Sequence, residues 1–168
     1  LMLYELRTYT VKPGSLGDMV KAASTLAGEI RKDDYGKLEG YWLTDIGPLN
    51  QVVHLWSYAD FSERSRLRGA LSKNSRWIGE YLPLIRPLMM RQDIRLLNAL
   101  RPPIAPASTG NIYELRNFRA KPGGAVHQWL DAFTAALPAR ESTPKSSASG
   151  RLRPVNRMRY VTSGPILA

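Results

Sequence analysis

Tyr4-Glu5-Leu6-Arg7, followed by Lys12-Pro13-Gly14, returns later in the chain as Tyr113-Glu114-Leu115-Arg116, followed by Lys121-Pro122-Gly123. One folding unit is written twice. Leu3 to Gly14 lies on Ile112 to Gly123, with an aromatic ring kept at Tyr9 and Phe118. Pro48-Leu49-Asn50-Gln51-Val52 then reappears in order as Pro154-Val155-Asn156-Arg157-Met158.

Outward from the first copy, Met2 to Val11 alternates, Tyr4, Leu6 and Thr8 on one face and Glu5, Arg7 and Tyr9 on the other, which predicts a strand ended by the Pro13-Gly14 turn. From Ser15 the apolar spacing changes to three and four residues through Ile30, a helix with Ser15 and Asp18 as its cap pair. Leu38–Thr44 and Gln51–Tyr58 flank Asp45-Ile46-Gly47-Pro48 and predict a hairpin. Asp60 and Glu63 form a capping box opening a helix to about Tyr81, which Pro83 and Pro87 end, and Met89–Leu97 supplies a fourth strand.

Strand, helix, strand, strand, helix, strand is the split-βαβ, ferredoxin-like plan, an α+β fold with helices on one sheet face. The other face would expose Trp42, Trp56 and Tyr58, so a second sheet is expected against it, and the tandem copy is the obvious source. We therefore divide the chain into a first unit at 1–100, a proline-rich linker at 101–111 and a second unit at 112–168. That second unit has a strand at 112–120 and a helix at 124–140. A polar run, Ser142 to Gly150, then stands where the first copy has its apolar second strand. A strand at 154–161 is the last element predicted, so copy two is incomplete. We expect a shortened form of a longer parent rather than completion by another chain.

Composition narrows the chemistry. With no cysteine and only His54 and His127, neither a disulfide nor a transition-metal centre is expected. No apolar run approaches the roughly 20 residues of a membrane span, and the strand signal beginning at Met2 leaves no room for a leader, so a cytoplasmic protein is expected. The net charge of +10 concentrates in the second copy, around Arg151, Arg153, Arg157 and Arg159. Without interleaved aromatic residues this reads as solvated surface, and nucleic acid is not an expected partner.

Tyr4-Glu5-Leu6-Arg7-Thr8-Tyr9 with Lys12-Pro13-Gly14, then Gly40-Tyr41-Trp42 and Asn50-Gln51-Val52-Val53-His54-Leu55-Trp56-Ser57-Tyr58, together resemble the NIPSNAP family. The resemblance covers nearly all of residues 2–97 and, more thinly, 112–161. It implies a dimeric α/β-barrel in which two ferredoxin-like units close their sheets, often with further homo-oligomerisation. About chemistry it implies little. Its eukaryotic members are discussed as trafficking or mitochondrial proteins acting through partners.

Glu5, Arg7 and Tyr9 share one face of the first strand, and His54, Trp56 and Tyr58 one face of the third. If these faces line the space between two sheets, with Trp42 beside them, they could bind an acidic or phenolic metabolite. His54 as base could then abstract a proton for isomerisation or cofactor-free oxygenation. The plainer reading is that Glu5 and Arg7 are structural ion pairs, since Glu114 and Arg116 repeat them, while His54 is hydrogen-bonded in the sheet and the tryptophans are packing. His54, present in one copy only, is the better functional candidate. The function expected is a small-molecule-binding barrel needing no cofactor, with a protein-interaction scaffold as the alternative.

Overall fold

The computed structural model describes residues 2–100, 102–103, 112–142 and 157–161. Strand β1 (Leu3–Val11) leads into helix α1 (Leu16–Ala22), a π-helical turn (Ala23–Ala27) and α2 (Gly28–Arg31), one continuous helical run. The hairpin β2 (Lys37–Ile46) and β3 (Gln51–Tyr58) follows, then α3 (Phe61–Leu71), a second π-helical turn (Trp77–Tyr81), α4 (Leu82–Ile85) and β4 (Met89–Asn98). Beyond them lie β5 (Ile112–Arg116), α5 (Val126–Ser142) and β6 (Arg157–Val161). The strand order is β4-β1-β3-β2-β6-β5, whose first four members are antiparallel and ferredoxin-like.

Local chemistry explains most of the boundaries. Asp60 accepts from Glu63 N at 2.8 Å, the expected N-cap of α3, and Glu63 reaches back to accept from Ala59 N, one residue before the N-cap N–H a capping box would use. Ser15 makes no side-chain cap bond, contrary to expectation. The single helix expected to Tyr81 is two segments. The chain turns after Leu71, and Asn74 restarts the helix by accepting from Trp77 N at 2.9 Å. Pro83 does not end this second segment but occupies the first turn of α4, where a missing N–H is tolerated.

The helices pack on the sheet face formed by Tyr9, Val11 and Val52, and the core there joins Met19, Ala22, Ile30, Tyr81 and Ile85. Val11, Val52 and Met19 are almost wholly buried, each worth about 1.5–3 kcal/mol relative to exposure. On the opposite face β6 and β5 do not form a separate covering sheet. They continue the first sheet in parallel pairings, β6 on β2 and β5 on β6. The sheet rolls, because Arg95 of β4 donates to Asn117, just past β5, at 3.0 Å although these strands stand at opposite ends of the order. Trp42 faces this concave side beside Tyr113, ring centroids 6.1 Å apart, and Tyr4 and Val53 are buried there. Most of the proposed linker and the whole of the polar run after Ser142 lie outside the described residues.

Candidate functional site

Register brings the predicted residues together. Arg7 lies opposite His54, Glu5 opposite Trp56, and Leu3 opposite Tyr58, so alternate side chains of β1 and β3 share one face. In β2 a bulge between Leu38 and Gly40 restores the phase, so that Tyr41 lies opposite His54. The shared face turns toward the helices. The expected inter-sheet location is therefore corrected: these side chains meet the helical layer of their own unit. Trp42 is one position out of phase and takes no part.

Between sheet and helices lies a cavity of about 520 Å³, within the roughly 300–1,000 Å³ usual for small-molecule sites. Arg7, Tyr9, His54 and Trp56 line its sheet wall, Arg31 and Arg68 its helical wall. Exposed Lys32, Ser72 and Gln92 stand where it meets solvent. Both π-helical turns contribute lining residues, Ala23 and Ala27 from one, Trp77 and Tyr81 from the other. Such turns recur at functional sites because the extra residue re-aims side chains at a small cost in helical hydrogen bonding.

Glu5, with a fully buried side chain, anchors the charges. Arg7 Nη1 donates to its Oε1 at 2.6 Å, and Arg64 Nε of α3 donates to its Oε2. Burial alone would raise the Glu5 carboxyl, but the two guanidinium groups outweigh it and hold the group below its ordinary range. Burial would likewise depress Arg7, and Tyr9 and Glu5 hold it above its ordinary value. Arg7 Nε also donates to the Tyr9 hydroxyl at 2.7 Å, leaving the phenol hydrogen free to donate onward. The second copy repeats the Glu114–Arg116 pair at 2.8 Å, but there both side chains are partly exposed.

His54 is enclosed by rings, Tyr9 edge-on at 4.8 Å and Tyr41 stacked at 5.5 Å between centroids. Trp56 Nε1 donates to its Nδ1 at 2.6 Å. An indole N–H only donates, so Nδ1 is the acceptor and neutral His54 carries its hydrogen on Nε2. Burial, and then the charges of Arg7, Arg31 and Arg68, push its pKa well below the ordinary histidine value.

Arg31 and Arg68 were not singled out from the sequence. Arg31 lies flat on Trp56, its Cζ 3.4 Å from a ring centroid, and donates to Tyr35 O at 2.9 Å. It ends a helical run in a setting that reads locally as a solvated cation, and only the sheet brought beneath it buries it. The bulge at Leu38 and the glycine at 36, φ +98, shape that corner, where a Cβ on Gly36 would run into the Tyr58 ring. Among the described residues no group of three or more histidines and carboxylates is placed to hold a metal ion, and no helix is long and apolar enough to cross a membrane.

A split-βαβ unit with a polar pocket beneath its helices is the class of domain this geometry defines. The NIPSNAP family model matches residues 4–102, and the chain belongs to that family. Human protein NipSnap homolog 3A is 30% identical over 145 residues, covering 82% of this chain and 56% of its own length. Mouse NipSnap homolog 3B is 29% identical over 150 residues. This chain thus spans little more than half the length of these relatives. Among solved structures, a NIPSNAP family protein of Agrobacterium tumefaciens superposes with a TM-score of 0.58 at 32% identity, covering 61% of this chain and 94% of its own. A NIPSNAP-like domain protein of Burkholderia xenovorans gives 0.57 at 36%, covering 62% and 91%.

Proposed function

We propose that this protein binds a small organic molecule in the pocket between its sheet and its helices. The observation that carries the reading is convergence: a pocket of about 520 Å³, open to solvent at one side, with aromatic walls into which arginine, tyrosine and histidine side chains from β1, β3 and the helices are brought. In this reading His54 Nε2–H and the Tyr9 hydroxyl are donors to ligand oxygen. Cofactor-free isomerase or oxygenase chemistry with His54 as base would require Trp56 to release Nδ1 first, so binding is the better-supported part. Thermal denaturation against a panel of acids, amides and alcohols tests it, with Ala23→Phe to fill the pocket. At least one compound should raise the Tm of the parent and leave the filled variant unmoved, since a ligand at 100 times its Kd adds about 2.7 kcal/mol. No shift with any compound, or equal shifts in both proteins, would overturn it.

A second reading, association, has its own observation. Strand β4 is an outer strand exposing Met90, Ile94, Leu96 and Leu97. An apolar edge of this kind is normally covered, and the resemblance to a dimeric family supports a second copy as the cover. Sedimentation should give a species larger than the monomer that Ile94→Lys dissociates; a monomer at tens of micromolar would dispose of the idea.

A further inference from the structure

The pocket holds more positive charge than its own carboxylate can answer. Glu5 is engaged on both oxygens by Arg7 and Arg64. Among the described residues no carboxylate stands within ion-pair distance of Arg31 or Arg68, although both line the cavity. Arg31 is 4% exposed, and its Nε–H has no hydrogen-bond partner. Of five guanidinium donors, the bond to Tyr35 O accounts for one. An unpaired cation in that position is costly, and proteins rarely retain one without a use for it. The two groups also oppose one another. Burial first, opposed by the nearby Tyr58 phenol and reinforced by the Arg68 charge, brings Arg31 down to about 10, and burial followed by Arg7 depresses Arg68 against the weaker pull of Tyr9, Glu5 and Tyr58. His54 does not add to the surplus, because it stays neutral.

Resting on the pocket reading above, we infer that the ligand is an organic carboxylate, its anionic end held by Arg31 and Arg68 and its flat, largely apolar body lying against Trp77 and Tyr81. The geometry suits such a molecule. Arg31 is already oriented by Trp56 on one side, so its planar fork is presented with little rotamer freedom left to lose. Trp77 and Tyr81, their ring centroids 4.3 Å apart and their planes tilted by 34°, provide the apolar wall.

The test uses matched pairs that differ in charge alone: benzoate and benzamide, phenylacetate and phenylacetamide, indole-3-acetate and indole-3-acetamide. Calorimetric titration of the full chain should show the acid of at least one pair binding and its amide binding at least about tenfold more weakly, the worth of one charged hydrogen bond. Arg68→Met should abolish most of that preference, Arg68→Lys should keep part of it, and Arg66→Met, an exposed charge on the same helix, should keep it all. Without ligand, Arg68→Met should melt no lower than the parent, because it removes a half-buried cation that has no carboxylate within ion-pair distance among the described residues and whose charge burial and Arg7 oppose. Equal binding of acid and amide would overturn the carboxylate assignment and leave the pocket reading standing. Failure of every acid would overturn it too, with neutral panel compounds then deciding the pocket by themselves. Retention of the full preference in Arg68→Met would remove Arg68 from the site and the inference with it.

Discussion

At the scale of single residues, the same Glu-Leu-Arg pattern has two energetic meanings. Glu5 is fully buried between Arg7 and Arg64, whereas Glu114 sits partly exposed beside Arg116. Glu5→Gln leaves a buried guanidinium without its counter-charge and should cost about 3–5 kcal/mol in urea denaturation. Glu114→Gln should change stability by about 0–1 kcal/mol, as exposed pairs do. Equal effects would contradict the burial difference. His54 carries a pH signature of its own. Its folded pKa lies below the unfolded value of about 6.5, so the unfolded chain takes up the proton first and stability falls as pH drops. The contribution is whole above pH 6.5 and is lost below it by up to about 1.4 kcal/mol per pH unit. Denaturation at pH 7.5, 6.5 and 5.5 should show this slope in the parent and a shallower one in His54→Gln.

Elements were legible where the chain carries its own local signal. Gln51–Tyr58 was delimited by its aromatic and β-branched run and the Asp45-Ile46-Gly47-Pro48 turn before it, and the Asp60–Glu63 pair marked the start of α3. The helix after Asn74 was not separated from α3, because apolar spacing runs through the turn and Asn74 signals a cap only once its side chain is seen on Trp77 N. The π-helical turns were missed for a related reason: an inserted residue leaves helical spacing nearly intact. Asn74→Ala should cost about 1 kcal/mol, the usual worth of a lost N-cap. Its amide also donates to the Tyr35 hydroxyl at 3.1 Å, so the variant should loosen the corner holding Arg31. Hydrogen exchange should therefore quicken across residues 75–81 and leave β1 protected; uniform quickening would mean global destabilisation instead.

For the whole molecule, the second copy extends the sheet of the first and curls it rather than stacking a second sheet upon it. A flat sheet would hold β4 and β5 about 24 Å apart, five inter-strand spacings. Nitroxide labels at positions 95 and 117 should report a much shorter separation, and a distance near that of the flat sheet would refute the roll. Trp42 belongs to this scale as well. It was grouped with the pocket for its aromaticity, yet its place in the pleat commits it to the concave face with Tyr113.

The amino-acid pattern alone determined the split-βαβ plan, the family, and the placing of Glu5, Arg7 and Tyr9 on one strand face and His54, Trp56 and Tyr58 on another as candidates for one shared face, because period-two alternation and turn chemistry act over a few residues. Which way that face looks, and which charges stand over it, was decided by the tertiary structure. Arg31 and Arg68 are ordinary cations on helices in the sequence, and burial is a property of what packs above and below a residue rather than of its neighbours in the chain. The Tyr-Glu-Leu-Arg repeat announced the fold twice over; only packing made one copy a charged pocket and left the other at the surface.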